Sequence, residues 1–114
     1  MVGLDFGTTY SGFSYCHVAN KQNICSYDSW PGIEDQFKTN TVLQYDDEYN
    51  NVVLWGAPAL AKRSNRQNRK QENRIVELFK LHLGDLSDCL KPKLPVDYKK
   101  AITDYLREIG KVRF

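Results

Sequence analysis

Asp5, Thr8, Thr9 and Tyr10 are the residues whose types and spacing best suit chemistry. They share one short stretch, Val2-Gly3-Leu4-Asp5-Phe6-Gly7-Thr8-Thr9-Tyr10-Ser11-Gly12. An apolar run bounded by glycine reads as a buried strand entering a tight turn. A lone carboxylate inside such a run is costly unless something compensates it, and a metal ion would. The turn offers backbone N–H groups and three consecutive hydroxyls, which together suit phosphate oxygens. Gly7 and Gly12 permit backbone conformations and close approaches that a side chain would block. These are the parts of a metal–nucleotide phosphate clamp. They are equally the parts of an ordinary hairpin with a polar turn, where glycine and threonine are common.

The four residues between Gly7 and Gly12 match the spacing of a P-loop, but that motif needs a lysine next and then a helix. Here Phe13 follows, and Ser14-Tyr15-Cys16-His17-Val18 is rich in strand formers. The unit reads as strand, turn, strand. His17 falls in the second strand, where a histidine without placed partners is a surface or packing residue.

The elements that would position this hairpin follow in order. Asn20-Lys21-Gln22-Asn23 reads as a polar turn and Ile24-Cys25-Ser26-Tyr27 as a third strand, giving an antiparallel three-strand meander. Trp30-Pro31-Gly32 is a turn signal. Residues 41–45 and 52–56 read as a second hairpin around the acidic loop 46–51. That loop lacks the alternating ligand positions of a calcium site and reads as solvated. Ala57 to Ala61 reads as a short helix. The run Lys62-Arg63-Ser64-Asn65-Arg66-Gln67-Asn68-Arg69-Lys70 is basic but lacks aromatics that would stack on bases, so it reads as a solvated connector. Asn73 to Gly84 is read as a helix capped by Asn73 and stopped by Gly84, although its apolar residues fall on too many sides for a clean stripe. Asp85 to Lys93 is a loop. From Leu94-Pro95, residues Tyr98, Ala101, Ile102, Tyr105, Leu106 and Ile109 keep helical spacing on one face, with Gly110 as the stop.

The 114 residues allow at most one domain, with normal apolar and charged fractions. A net charge of +2 gives no argument for nucleic acid. No stretch suits a membrane span or a signal peptide. Cys16, Cys25 and Cys89 form neither a C-x-x-C motif nor an even set, so reduced thiols in the cytoplasm are the expectation.

Residues 4–12, LDFGTTYSG, resemble the first phosphate-binding motif of the actin-like ATPase superfamily, and most of all that of the 70-kDa heat-shock (DnaK-like) chaperones. The resemblance continues through Asp28 to Gly32, Lys38-Thr39-Asn40-Thr41-Val42 and Trp55-Gly56-x-x-Ala59. Asn40 departs from the family's usual proline, and Trp30-Pro31-Gly32 looks like the divergent type-twelve branch of these chaperones. The resemblance implies an α/β, ribonuclease-H-like lobe that binds ATP or ADP with magnesium. By position it implies that Asp5 holds the magnesium through water and that Gly7, Thr8, Thr9 and Tyr10 contact the phosphates. Phe79-Lys80-Leu81-His82-Leu83-Gly84 resembles the family segment with a catalytic lysine, which would be Lys80. Lys80 also reads as a lysine whose stem covers apolar surface.

The resemblance covers only the first lobe. The second lobe, the second phosphate motif, the adenosine motif, the remaining acids and a peptide-binding domain do not occur in these residues. Residues 1–114 are therefore expected to be part of a nucleotide-binding domain that does not turn over ATP alone, with an open sheet edge. The implied partners are nucleotide and, in a longer form, unfolded clients and co-chaperones. Membrane and nucleic acid are not expected partners. The competing reading is a non-enzymatic module that binds protein or RNA through the sheet edge or the basic run.

Overall fold

A computed structural model describes residues 1–33, 35–61, 74–87 and 89–112. The basic run 62–70 and the cap expected at Asn73 lie outside the described residues. The architecture is mixed α/β with antiparallel sheets. In the first sheet, β1 (Val2–Phe6), β2 (Tyr10–His17) and β3 (Asn20–Ser26) form the expected meander. The β2–β3 turn is tighter than expected: only Val18 and Ala19 lie outside the strands, and His17 pairs with Asn20. The polar residues 20–23 extend β3 because the backbone ladder there does not depend on side-chain polarity. His17 is exposed and its Nδ1 accepts the Ala19 N–H at 3.1 Å, a local turn role.

The short strand β4 (Thr39–Asn40) pairs with the start of β2, beyond the part that β3 covers. Thr41 then carries the chain into the second sheet, ordered β6 (Val52–Trp55), β5 (Val42–Tyr45), β7 (Ile75–Glu77). The acidic loop between β5 and β6 uses Asp46 internally: its carboxylate accepts the Asn50 N–H and the Asn51 amide. Gly56, at φ +68°, turns the chain into α1 (Ala57–Ala61). A Cβ there would lie 2.7 Å from the Thr39 hydroxyl oxygen, which accepts the Ala57 N–H.

The helix expected over 73–84 is not formed. Ile75–Glu77 is the strand β7, with Leu43 opposite Val76. Leu78 takes a left-handed φ of 59°, and Phe79–Leu83 is a single 3-10 turn. The β-branched pair Ile75-Val76 and the open edge of β5 outweigh the local helical spacing. Apolar residues on all sides fit a segment that buries Val76 from a strand and Phe79 from a turn.

The last helix, α2 (Tyr98–Gly110), buries Ala101, Tyr105 and Ile109, with Ile102 and Leu106 packed beside them. It starts later than expected. Asp97 caps it by accepting the Lys99 N–H, so Leu94-Pro95 belong to the approach. Tyr105 joins the two sheets by its aromatic contacts, its ring centroid lying 5.9 Å from each of Phe6, Trp55 and Phe79. Burying a side chain of this size contributes roughly 1.5–3 kcal/mol.

One expectation for the first strand is overturned. β1 is an outer strand whose Val2 and Leu4 are 57% and 49% exposed, and Asp5 is exposed. Only Phe6 turns into the aromatic core. Among the described residues no helix is long and apolar enough to cross a membrane, and Cys16, Cys25 and Cys89 are free.

Candidate functional site

The β1–β2 turn is held from beneath by hydroxyls. Thr41 donates to the Gly7 carbonyl at 2.8 Å, and its oxygen lies 2.6 Å from the Ser11 hydroxyl. The Thr41 N–H reaches the Thr9 carbonyl at 2.8 Å. Ser11, Thr39 and Thr41 are fully buried. Buried hydroxyls that are all bonded give a stiff support. Tyr105 extends it, donating to the Asn40 carbonyl at 3.0 Å. Burial pushes the Tyr105 phenol up, with Ser11 and Thr41 pulling the other way.

Above this support the turn faces solvent. Thr9 and Tyr10 are exposed and Thr8 is half-buried. Among the described residues their side-chain hydroxyls make no hydrogen bonds. Gly7 makes the close approach expected of it, within the turn itself. A Cβ there would lie 2.2 Å from the Tyr10 carbonyl oxygen, so the glycine is needed for the tightness of the turn itself. At Gly12 the close approach is also made by the chain: a Cβ would meet the Phe37 carbonyl oxygen at 2.5 Å and the Lys38 stem at 3.3 Å.

Asp5 was expected to be a buried acid and is an exposed one, its side chain 61% accessible. It lies opposite Gly12 in the β1–β2 register, and its Oδ2 is 2.6 Å from Lys38 Nζ. The Lys38 ammonium holds the Asp5 carboxyl below the usual carboxylate range, through its hydrogen bond first and its charge second, and Lys80 adds a smaller pull.

Lys80 comes to the same hairpin from a distant part of the chain. Phe79 is fully buried against Phe6 and Tyr105, and this anchor aims the next residue at the end of β1. Lys80 Nζ donates to the Phe6 carbonyl, and lies 5.6 Å from the Phe6 ring centroid. Asp5, Gly7, Thr8, Thr9, Tyr10 and Lys80 thus gather at one end of the first sheet.

Sequence reasoning missed Lys38 as the partner of Asp5. No spacing rule links a lysine before a short strand to an acid 33 residues earlier. It also missed the buried support, although the alternation of Thr39 and Thr41 was a readable signal that one strand face carries hydroxyls.

Among the described residues there is no cluster of three or more His, Cys, Asp or Glu side chains able to hold a metal ion. One carboxylate beside unbonded hydroxyls does not fit a cation caged by protein alone.

The chain matches no protein-family model and no curated protein.

Proposed function

We propose that residues 1–114 form part of the first, ribonuclease-H-like lobe of a heat-shock-70-like ATPase, and that the β1–β2 hairpin binds the phosphates of ATP or ADP. The observation that carries this reading is the arrival of Lys80 at the Phe6 carbonyl, beside the Asp5-to-Tyr10 turn, from 74 residues away. Nothing in an ordinary polar hairpin calls for a lysine brought there by a buried aromatic anchor.

In this reading the backbone and hydroxyls of Thr8, Thr9 and Tyr10 cradle phosphate oxygens. Lys80 sets a positive charge near the terminal phosphate, where charge develops as the phosphoryl group leaves. Asp5 orients a bound magnesium ion through water, and the ion neutralises phosphate charge. The Ser11–Thr41–Gly7 support keeps the turn in one conformation, so little ordering is needed on binding. Hydrolysis needs acids that these residues do not supply, so nucleotide binding is the activity proposed for them.

Calorimetric titration with ATP and magnesium tests the reading. Saturable binding that requires magnesium and is lost in Asp5→Asn supports it. Binding that is absent, or indifferent to Asp5→Asn, removes it.

A second reading, an interaction module, is favoured by β1, whose ladder partner is β2 and which exposes Val2 and Leu4. Nucleotide-independent capture of an extended peptide, weakened by Leu4→Lys, would support that reading instead.

A further inference from the structure

We infer that His82 is a positioning residue for Lys80: together with Phe79 it mounts the turn Phe79–Leu83 on α2 at two points, and this fixes the direction in which Lys80 leaves the turn. The inference rests on the nucleotide reading only for what Lys80 then does.

The two anchors follow from the periods of the two elements. In the 3-10 turn Phe79–Leu83, residues three apart eclipse one another, so Phe79 and His82 share a side. On α2, Tyr98 and Tyr105 are seven residues apart and share a face. Phe79 meets Tyr105, with ring centroids 5.9 Å apart. His82 lies flat on Tyr98, with centroids 5.2 Å apart and ring planes within 9° of parallel. Its Nε2 donates to the Pro92 carbonyl at 2.8 Å. A carbonyl oxygen can only accept, so Nε2 carries the proton.

The backbone does little to hold the turn. Its own bonds run from the Leu81 N–H to the Leu78 carbonyl at 3.1 Å and from the Gly84 N–H to the Leu81 carbonyl at 3.2 Å. Leu78 enters at a left-handed φ of 59°, and Leu83, Gly84, Asp85 and Leu86 are exposed. A short 3-10 piece has poor hydrogen-bond geometry and needs outside contacts. One buried ring at Phe79 would act as a pivot. A second attachment three residues on removes rotation about that pivot. Lys80 lies between the two anchors, and its Nζ donates to the Phe6 carbonyl. Phe79 is fully buried and His82 half-buried. Phe79 therefore supplies mainly stability, and His82 mainly direction.

The test reads the Lys80 nitrogen itself. The full chain is treated with a limiting amount of an acetylating reagent, and each lysine is quantified by peptide mass spectrometry. A nitrogen held against a carbonyl is hindered, and one that swings into water is not. His82→Ala is expected to raise acetylation at Lys80 about fivefold relative to Lys100, which Asp104 holds on α2 itself. Tyr98→Leu removes the stacked ring from the other side and is expected to raise Lys80 acetylation in the same sense. Unchanged acetylation at Lys80 in both variants overturns the inference. A rise at Lys80 and Lys100 together also overturns it, because that reports general loosening. In a separate titration, affinity for ATP with magnesium is expected to fall about fivefold in His82→Ala. It is expected to fall no further in His82→Ala/Lys80→Met than in Lys80→Met, because His82 acts through Lys80. Additive losses overturn the positioning role. A chain that shows the acetylation change but does not bind ATP keeps the mount and loses the nucleotide reading. ATP binding with Lys80 acetylation unmoved does the reverse.

Discussion

Asp5 and Asp104 each hold a lysine ammonium, in opposite surroundings. Asp104 lies on α2 with its side chain 8% exposed, and both of its oxygens are used. Tyr45 donates at 2.7 Å, and Lys100 and Arg107 each at 3.0 Å. Burial raises the Asp104 carboxyl, but the bonds from Tyr45 and Lys100 and the two cations outweigh it, and the net shift is downward. Burial and the same bond push the Tyr45 phenol well up. Among the described residues Asp5 has one partner, Lys38, and its side chain faces water. Similar distances thus serve different ends. A carboxylate locked by three donors fastens a helix to a strand. A carboxylate held by one exposed lysine can change partners.

Removing each acid separates the two roles. Asp104→Ala leaves the buried Tyr45 hydroxyl without its acceptor and releases Lys100 and Arg107 to solvent, and is expected to cost about 3 kcal/mol in urea unfolding. Asp5→Ala is expected to leave the unfolding midpoint unchanged while abolishing magnesium-dependent nucleotide binding. An equal loss of stability in both variants would erase the distinction.

Phe79→Ala sharpens the comparison from the side of Lys80. It opens a cavity at the Phe6–Phe79–Tyr105 contact and is expected to cost about 3 kcal/mol. It also releases the anchor that aims Lys80, so ATP affinity falls further than in Lys80→Met alone. Parallel unfolding and calorimetry on the two variants check this.

These pairs also show what could be read in advance. The hairpin, the meander, the second hairpin, α1 and the buried face of α2 follow from periodicity, and they are present. The strand at Ile75–Glu77 was hidden because its partner, β5, lies some thirty residues away and short apolar runs do not distinguish strand from helix. Asp5 was legible as an acid in an apolar strand, but its exposure was not, since that depends on β1 being an outer strand. Asp104 and Lys38 were invisible for one reason. Each is defined by a partner distant in sequence, Tyr45 for one and Asp5 for the other.

Thr41→Val tests the support under the turn. It removes the donor to the Gly7 carbonyl and the partner of Ser11 at nearly constant volume, and is expected to cost about 1–3 kcal/mol. Faster amide exchange at Gly7 to Tyr10, with α2 unaffected, is the accompanying expectation.

The smallest effect is in pH. The folded carboxyl of Asp104 lies below its ordinary value near 3.8. Its contribution to stability is therefore present above that value and lost as pH falls through the folded one. Acid unfolding of Asp104→Asn is expected to show a flatter dependence in that window. Asp5→Asn shifts the curve in the same sense and by less, because its carboxylate is solvated.

The most direct measurement is the amide chemical shifts of the chain during titration with magnesium and ATP. Saturable shifts concentrated at Gly7, Thr8, Thr9 and Tyr10, with Lys80 moving in step and the Asp104 region of α2 still, are what a phosphate clamp predicts. Shifts that are absent, or that spread over β3 and α2 while the turn stays unchanged, would contradict it.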